Sequence, residues 1–223
     1  MISSPFRLFR QFPSLKISLF GKECSGTTED CARELGFDRV SKVHQIHGNV
    51  IHTVRGKTLD YETKGDGMIT DQKNHALSVR WADCQGFIVY APKQNVLGGL
   101  HAGWRGMAEK AITALYTTMK QDFGIDPKET FVGITPSICV KCYRFENARN
   151  RLPVHLHQFI NNDHLDLMGA ADAELDALGV PQSQRERNPE CTYCGEHYWS
   201  WRRDKKEDAR NYLVAGIWQD RFA

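Results

Sequence analysis

The sequence predicts an α+β fold. Short apolar, β-branched runs of strand length recur from residue 15 to residue 217, and only a few longer stretches carry helical spacing. The two kinds do not alternate as regular βαβ units, which sets the chain apart from the α/β class. At 223 residues the chain can bury a sizeable core, and one domain or two closely packed halves is the natural count.

Taken in order, Leu15 to Phe20 reads as a short edge strand, followed by a helix near Thr28 to Leu35 that Gly36 ends. Val43 to Val54 is apolar and β-branched, one strand or two, and carries His44 and His47. Gly65-Asp66-Gly67 is a turn signal, and Ala76 to Trp81 is a strand running into Ala82-Asp83-Cys84. Phe87 to Tyr90 and Val96 to Leu100 pair through a connection at Pro92 to Asn95. That strand ends at His101, glycines follow, and one helix begins near Arg105. Its Ala108, Ala111, Ile112, Leu115 and Met119 fall at the three-and-four spacing of a buried stripe. Gly124 stops it, with Pro127 just beyond. Thr130 to Ile134 is a further strand. A second amphipathic helix covers about Leu165 to Leu178, with Met168, Ala171, Leu175 and Leu178 on one face, and Gly179 and Pro181 close it. The tail from Cys191 is rich in Tyr, Trp and Arg and ends in a strand at Tyr212 to Ile217.

Charge is nearly balanced, 29 Lys+Arg against 27 Asp+Glu, so no global basic field calls for nucleic acid or an anionic membrane. No apolar run is long enough to span a bilayer. Arg7, Arg10 and Lys16 interrupt the apolar residues of Met1 to Gly21, which argues against a signal peptide, and the cytoplasm is the expected location. Seven cysteines, an odd number, point to free thiols or metal ligands rather than a disulfide framework.

The chemistry-bearing residues gather in three short stretches: His44-Gln45-Ile46-His47-Gly48, Ala82-Asp83-Cys84 and His101-Ala102-Gly103-Trp104-Arg105-Gly106. Two imidazoles and a thiolate, from His47, Cys84 and His101, are a donor set for a divalent metal. Three protein ligands leave a fourth position open, as in catalytic zinc sites. The same residues also suit a thiol nucleophile, Cys84, with His101 as its base, or ordinary packing.

Gln45-Ile46-His47-Gly48, Asp66-Gly67, Ala82-Asp83-Cys84, His101-Ala102-Gly103-Trp104-Arg105-Gly106, Cys142-Tyr143, and Cys191-Thr192-x-Cys194 followed by Tyr198-Trp199-Ser200-Trp201-Arg202-Arg203 resemble the laccase-domain family in order and spacing. That family is also described as multicopper polyphenol oxidase type and purine nucleoside phosphorylase type. The resemblance covers most of the chain and implies a single laccase-type domain over residues 1–223. It implies a layered α/β/β/α sandwich with mixed sheets, shared with a group of cysteine hydrolases. It further implies zinc on His47, Cys84 and His101, with copper admissible in the same site. Nucleoside and phosphate are the implied partners: phosphorolysis of adenosine, inosine or methylthioadenosine, and deamination of adenosine. Some bacterial members are linked instead to peptidoglycan precursor editing or phenol oxidation. The chain departs from the family pattern at Thr135-Pro136-Ser137-Ile138-Cys139, at Asp208-Ala209-Arg210, and at Asp172, where the family carries Asn.

Under that reading a proton carrier must stand beside the metal without being its ligand. Asp83 is one candidate, although adjacent strand residues point to opposite faces. His44 is another, as orienter or proton carrier. Arg105, at the predicted helix N-terminus, suits phosphate. Arg202 and Arg203 are a second cationic source for substrate, of which one reaches the site because neighbouring side chains diverge. Tyr198, Trp199 and Trp201 either stack on a purine or pack in the core. Multicopper redox chemistry is rejected as the main activity. It needs several His-x-His pairs, whereas the chain has one, His155-Leu156-His157, on a predicted helix where i and i+2 diverge. The pairs Cys139/Cys142 and Cys191/Cys194 either meet in a four-cysteine zinc site or, on the simpler reading, are buried free thiols.

Overall fold

Among the described residues two large β-sheets stack face to face, each backed by helix, and a two-stranded ribbon pairs Ile160–Asn161 with His164–Leu165. The computed structural model describes residues 2, 3 and 5–219; Met1, Ser4 and residues 220–223, and with them the extreme ends of the expected 1–223 domain, lie outside the described residues. One sheet runs Ile2–Ser3, Leu15–Phe20, Asn211–Ile217, Ala76–Trp81, Val40–Ser41, antiparallel except at the last pairing. The other runs Arg185–Arg187, Phe131–Ile134, Gln85–Ala91, Val96–Ala102, Gly67–Thr70, Ile51–Thr53, with parallel pairings at both edges.

The central strands are apolar without alternation because both of their faces are buried. Met68, Ile88, Tyr90 and Leu97 face Leu19, Leu77, Val79 and Leu213 in the layer between the sheets. The intervening residues Ile69, Phe87, Val89 and Leu100 face the helices Ala111–Phe123 and Leu167–Ala177, meeting Ile112, Leu115, Met119, Ala171 and Leu175. On the far side of the first sheet, Phe20, Ala76 and Val214 pack on Cys31 and Ala32 of the helix Thr28–Glu34. The order is helix, sheet, sheet, helix, and the expected mixed α/β/β/α sandwich holds. Among the described residues, no helix is long and apolar enough to cross a membrane.

Four local expectations are corrected. Leu15–Phe20 is not an edge strand, since Ile2–Ser3 pairs along its outer side. The stretch from Val43 to Val54 is mostly loop: His44 makes only an isolated bridge to Lys64, and regular strand returns at Ile51–Thr53. The Gly65-Asp66-Gly67 turn is instead the entry to the strand Gly67–Thr70, with Asp66 buried at 1% exposure. The helix predicted from Arg105 is two: Trp104–Ala108 and Ala111–Phe123, separated at Lys110, whose φ of 55° is left-handed. No Gly or Pro marks that break. What accompanies it is a tertiary bond, from the Asn49 side-chain amide to the Glu109 carbonyl at 2.9 Å. The buried stripe survives in the second piece, and Gly124 ends it at φ 66°.

Candidate metal centre

The site forms where the chain crosses from one sheet to the other. Trp81 closes a strand of the five-stranded sheet and Gln85 opens a strand of the six-stranded sheet, so Ala82-Asp83-Cys84 is the crossing. Asp83 makes the bend with φ 79°, so strand alternation does not govern where its side chain points. The antiparallel ladder pairs Gly86 with His101, which brings His101 alongside Cys84. His47 arrives from the loop before Ile51, with φ 62°.

A left-handed non-glycine residue costs roughly 1 kcal/mol or more. The compensation is Asp66, whose buried carboxylate accepts the backbone N–H groups of Ile46 (3.2 Å), His47 (2.9 Å) and Gly48 (2.7 Å). Hydrogen bonds to a charged partner are worth about 1.5–3 kcal/mol each, so this cradle outweighs the strain. The same carboxylate accepts Nδ1 of His101 at 2.9 Å.

The ligand atoms of His47, Cys84 and His101 all lie within 4.8 Å of one another. Burial alone would push the Cys84 thiol up. The charge and hydrogen bond of His101, followed by those of His47, outweigh it and bring Cys84 down to about 6. His101 moves the other way: burial opposes its charge, but Cys84 and Asp66 lift it to about 9. A dication would exploit this thiolate, and the nitrogen–nitrogen–sulfur set suits zinc. The backbone leaves room for it only because residue 103 is glycine, since a Cβ there would stand 2.6 Å from the Cys84 sulfur.

The triad opens into a cavity of about 650 Å³ whose wall includes His47, Asp83, Cys84 and His101. Six arginines line it, Arg80, Arg105, Arg144, Arg151, Arg202 and Arg210, along with Trp104, Tyr143, Phe145 and Trp201. The cations and rings stack on one another: Arg105 over Trp104 at 4.4 Å, Arg151 over Phe145 at 4.7 Å, Arg202 over Tyr143 at 4.9 Å and Arg210 over Trp201 at 5.3 Å. Burial pushes the Tyr143 phenol up, so it stays a neutral donor. The cavity is therefore built for a flat, anion-bearing ligand or for an aromatic ligand together with an anion.

The remaining expected site residues divide. Asp83 is in the cavity wall, its two oxygens accepting the Thr192 hydroxyl at 2.6 Å and the Arg202 backbone N–H at 2.7 Å. Arg105 and Arg202 reach the cavity; Arg203 does not. The Arg203 guanidinium donates to the carbonyls of Thr192, Tyr193, Gly195 and Tyr198 and to Asp204, which ties that loop together. His44 is exposed and outside the cavity wall, a correction to its expected role. Its neighbour Gln45 is there instead, held by reciprocal bonds with the Arg80 backbone at 2.7 and 2.9 Å. Arg105 does stand in the first turn after His101, but that helix is only five residues long, so positive charge comes from side chains more than from a helix dipole. Of the tail aromatics, Tyr198 is buried against Trp81, Trp199 lies between Lys22 and Lys206, and only Trp201 lines the cavity.

Asp66, Gln45, Tyr143 and the arginines at 80, 144, 151 and 210 were not singled out from sequence as site residues. Gln45, Asp66 and Tyr143 stand in motifs that carry the family resemblance, and that is their only signal in the sequence. His155 and His157 lie on a 3₁₀ turn and their rings face separate backbone carbonyls, of Met107 and Leu152, so the His-x-His pair does not converge.

A family described as multi-copper polyphenol oxidoreductase laccase matches residues 23–218. A purine nucleoside phosphorylase of Streptomyces coelicolor is 28% identical over 201 residues, covering 86% of this chain and 81% of that one. The purine nucleoside phosphorylase YlmD of Geobacillus stearothermophilus is 31% identical over 191 residues, 77% of this chain and 70% of that one. In structure, YlmD from Geobacillus stearothermophilus aligns with a TM-score of 0.79 at 26% identity over 94% of each chain. The hypothetical protein YfiH of Bacillus licheniformis aligns at 0.76 and 26% identity, over 85% of this chain and 79% of that one.

Proposed function

The chain belongs to the multi-copper polyphenol oxidoreductase laccase family, and from that premise we propose that it is a zinc-dependent purine nucleoside enzyme of the cytoplasm. Its reactions are phosphorolysis of adenosine, inosine or methylthioadenosine, and deamination of adenosine. One observation carries the reading: His47, Cys84 and His101 converge at a cavity that pairs aromatic rings with arginines. Relatives named purine nucleoside phosphorylases support it.

A metal ion held by these three residues would supply Lewis-acid chemistry. The chain's own residues do the rest. Trp104, Tyr143, Phe145 and Trp201 offer faces for a purine, and their arginines keep the rings fixed. Arg105 and Arg202 bind phosphate, whose attack on C1′ breaks the bond to the base. Holding nucleophile and nucleoside together replaces a bimolecular encounter. In deamination water adds at C6 as ammonia leaves, and Asp83, fixed by Thr192 and the Arg202 backbone, carries the proton from that water to the departing nitrogen.

The test is product analysis by mass after incubating metal-assayed protein with a nucleoside panel, with and without phosphate. Free base and ribose 1-phosphate appearing only with phosphate, and inosine from adenosine without it, are the expected products. His101→Ala abolishes metal retention and turnover while the circular dichroism persists. A variant with normal zinc and normal turnover would remove His101 from the site.

A second reading has its own support, because Cys84 brought down to about 6 beside His101 raised to about 9 is also a nucleophile–base pair. A thiol hydrolase survives chelation and dies on alkylation; the metal enzyme does the reverse under chelation.

A further inference from the structure

We propose that Cys139, Cys142, Cys191 and Cys194 form a second metal site, a closed tetrathiolate for zinc that clamps a segment of the cavity wall to the loop that holds Asp83. The four sulfurs lie within 4.8 Å of one another, and those of Cys142 and Cys194 are 3.2 Å apart. Zinc–sulfur bonds of about 2.3 Å in a tetrahedron set the sulfurs about 3.8 Å apart, so sub-ångström adjustments close the site. Four protein ligands and no open position are the mark of a structural rather than a catalytic zinc. The simpler expectation of buried free thiols differs in one respect: the four cysteines are free, but none of them is buried.

The backbone is shaped for sulfur ligation. Each Cys-x-x-Cys closes a tight turn, with Cys142 N–H on the Cys139 carbonyl at 3.0 Å and Gly195 N–H on the Cys191 carbonyl at 2.8 Å. Amides also aim at sulfur: the Cys139 N–H at 3.2 Å and the Cys194 N–H at 3.5 Å both point to Cys191 Sγ. Such donors stabilise a thiolate. Burial would raise Cys191, yet these amides hold it below the usual thiol range, whereas burial and the neighbouring thiols push Cys142 up. A dication takes the four sulfurs as thiolates, each thiol giving its proton to solvent on binding. The surplus negative charge of the loaded site is met by Arg203, which donates to the carbonyls of Thr192, Tyr193 and Gly195 around Cys191.

The site adds a second tie to segments that the hydrophobic core already holds in part, through Ile138, Tyr143 and Phe145. Between Ile134 and Ala148, and between Arg187 and Trp201, the chain has no strand or helix, and only the Ser137–Cys191 bridge ties the two loops by backbone pairing. The first loop carries Tyr143, and the second carries Thr192, which holds Asp83. A metal across the four cysteines fixes both.

The experiment counts metal per chain by mass spectrometry on protein purified without chelator, for the wild type, His101→Ala and Cys142→Ser/Cys194→Ser. Two ions, one ion and one ion are expected. His101→Ala reconstituted with cobalt(II) then gives the intense visible bands of tetrahedral thiolate cobalt, and the four thiols resist a thiol reagent until metal is removed. Should the double variant not fold, the cobalt spectrum of His101→Ala still decides. A single ion per chain that disappears in His101→Ala overturns the proposal. So does a mass deficit from disulfides among the four cysteines in the native protein.

Discussion

Asp66 and His101 are joined twice, His101 Nδ1 donating to the Asp66 carboxylate at 2.9 Å and the His101 backbone N–H donating to the Asp66 carbonyl at 2.8 Å. The side-chain bond fixes the imidazole tautomer and commits Nδ1, which leaves Nε2 for Cys84 and a metal. The same carboxylate fixes His47 through its backbone N–H. One buried carboxylate therefore sets two of the three ligands. Asp66→Asn is expected to weaken zinc binding by roughly 10–100-fold in chelator competition, with unchanged circular dichroism. Unaltered zinc affinity would sink this role. Asp66→Ala is expected to lower stability too, since it leaves the Ile46, His47 and Gly48 amides without their acceptor.

Arg105 faces the cavity with its guanidinium stacked on Trp104. Arg105→Ala is expected to raise KM for phosphate by about 10–100-fold, the equivalent of losing one charged hydrogen bond, and to leave adenosine deamination within a few-fold of wild type. Equal losses in both reactions would make Arg105 a loop-holding residue. Arg203→Ala, in contrast, should lower the melting temperature with little change in phosphate KM, because its partners are backbone carbonyls.

What the sequence made legible was periodic or punctuated. The central strands, the stripe from Ala111 to Met119 and the stops at Gly36, Gly124 and Gly179 all follow from side-chain spacing and left-handed glycines. The triad followed from donor chemistry near glycines, although the sequence alone could not say that the chain crosses between sheets at Ala82-Asp83-Cys84. The illegible parts depend on contacts distant along the chain. The Lys110 break coincides with a bond from Asn49. Gln45 rather than His44 enters the cavity wall, where a left-handed His47 and an isolated bridge, not a regular strand, shape the backbone. Arg203 turns away because the carbonyls of the Cys191–Tyr198 loop collect it. No local pattern encodes those partners.

Gly103 lies against the Cys84 sulfur and Gly106 against the Gly48 carbonyl, where an added Cβ would stand at 2.6 and 3.2 Å. The first is too close for any side chain unless Cys84 moves. Gly103→Ala is therefore expected to displace the thiolate and cut metal occupancy at least tenfold, whereas Gly106→Ala asks for a shift of a few tenths of an ångström and costs less. Metal content after dialysis against a weak chelator checks the order of the two. If Gly103→Ala keeps full occupancy, the close approach has no functional consequence.

His75 supplies a pH dependence away from the cavity. The ring is fully buried, with Nε2 2.8 Å from the Ser41 hydroxyl, and burial, reinforced by Arg39, pulls it down to about 4. An unfolded histidine titrates near 6.5. Between those values the unfolded chain binds a proton that the folded chain refuses, so the unfolding free energy rises with pH and falls as acid is added. The loss on going from pH 7 to pH 4 is on the order of 2 kcal/mol after allowance for solvent screening. His75→Gln can still bond Ser41 but does not titrate. Its urea midpoint should fall less than that of the wild type between pH 7 and pH 4.5, whereas parallel curves for the two proteins would show that the His75 proton is not what acid exploits.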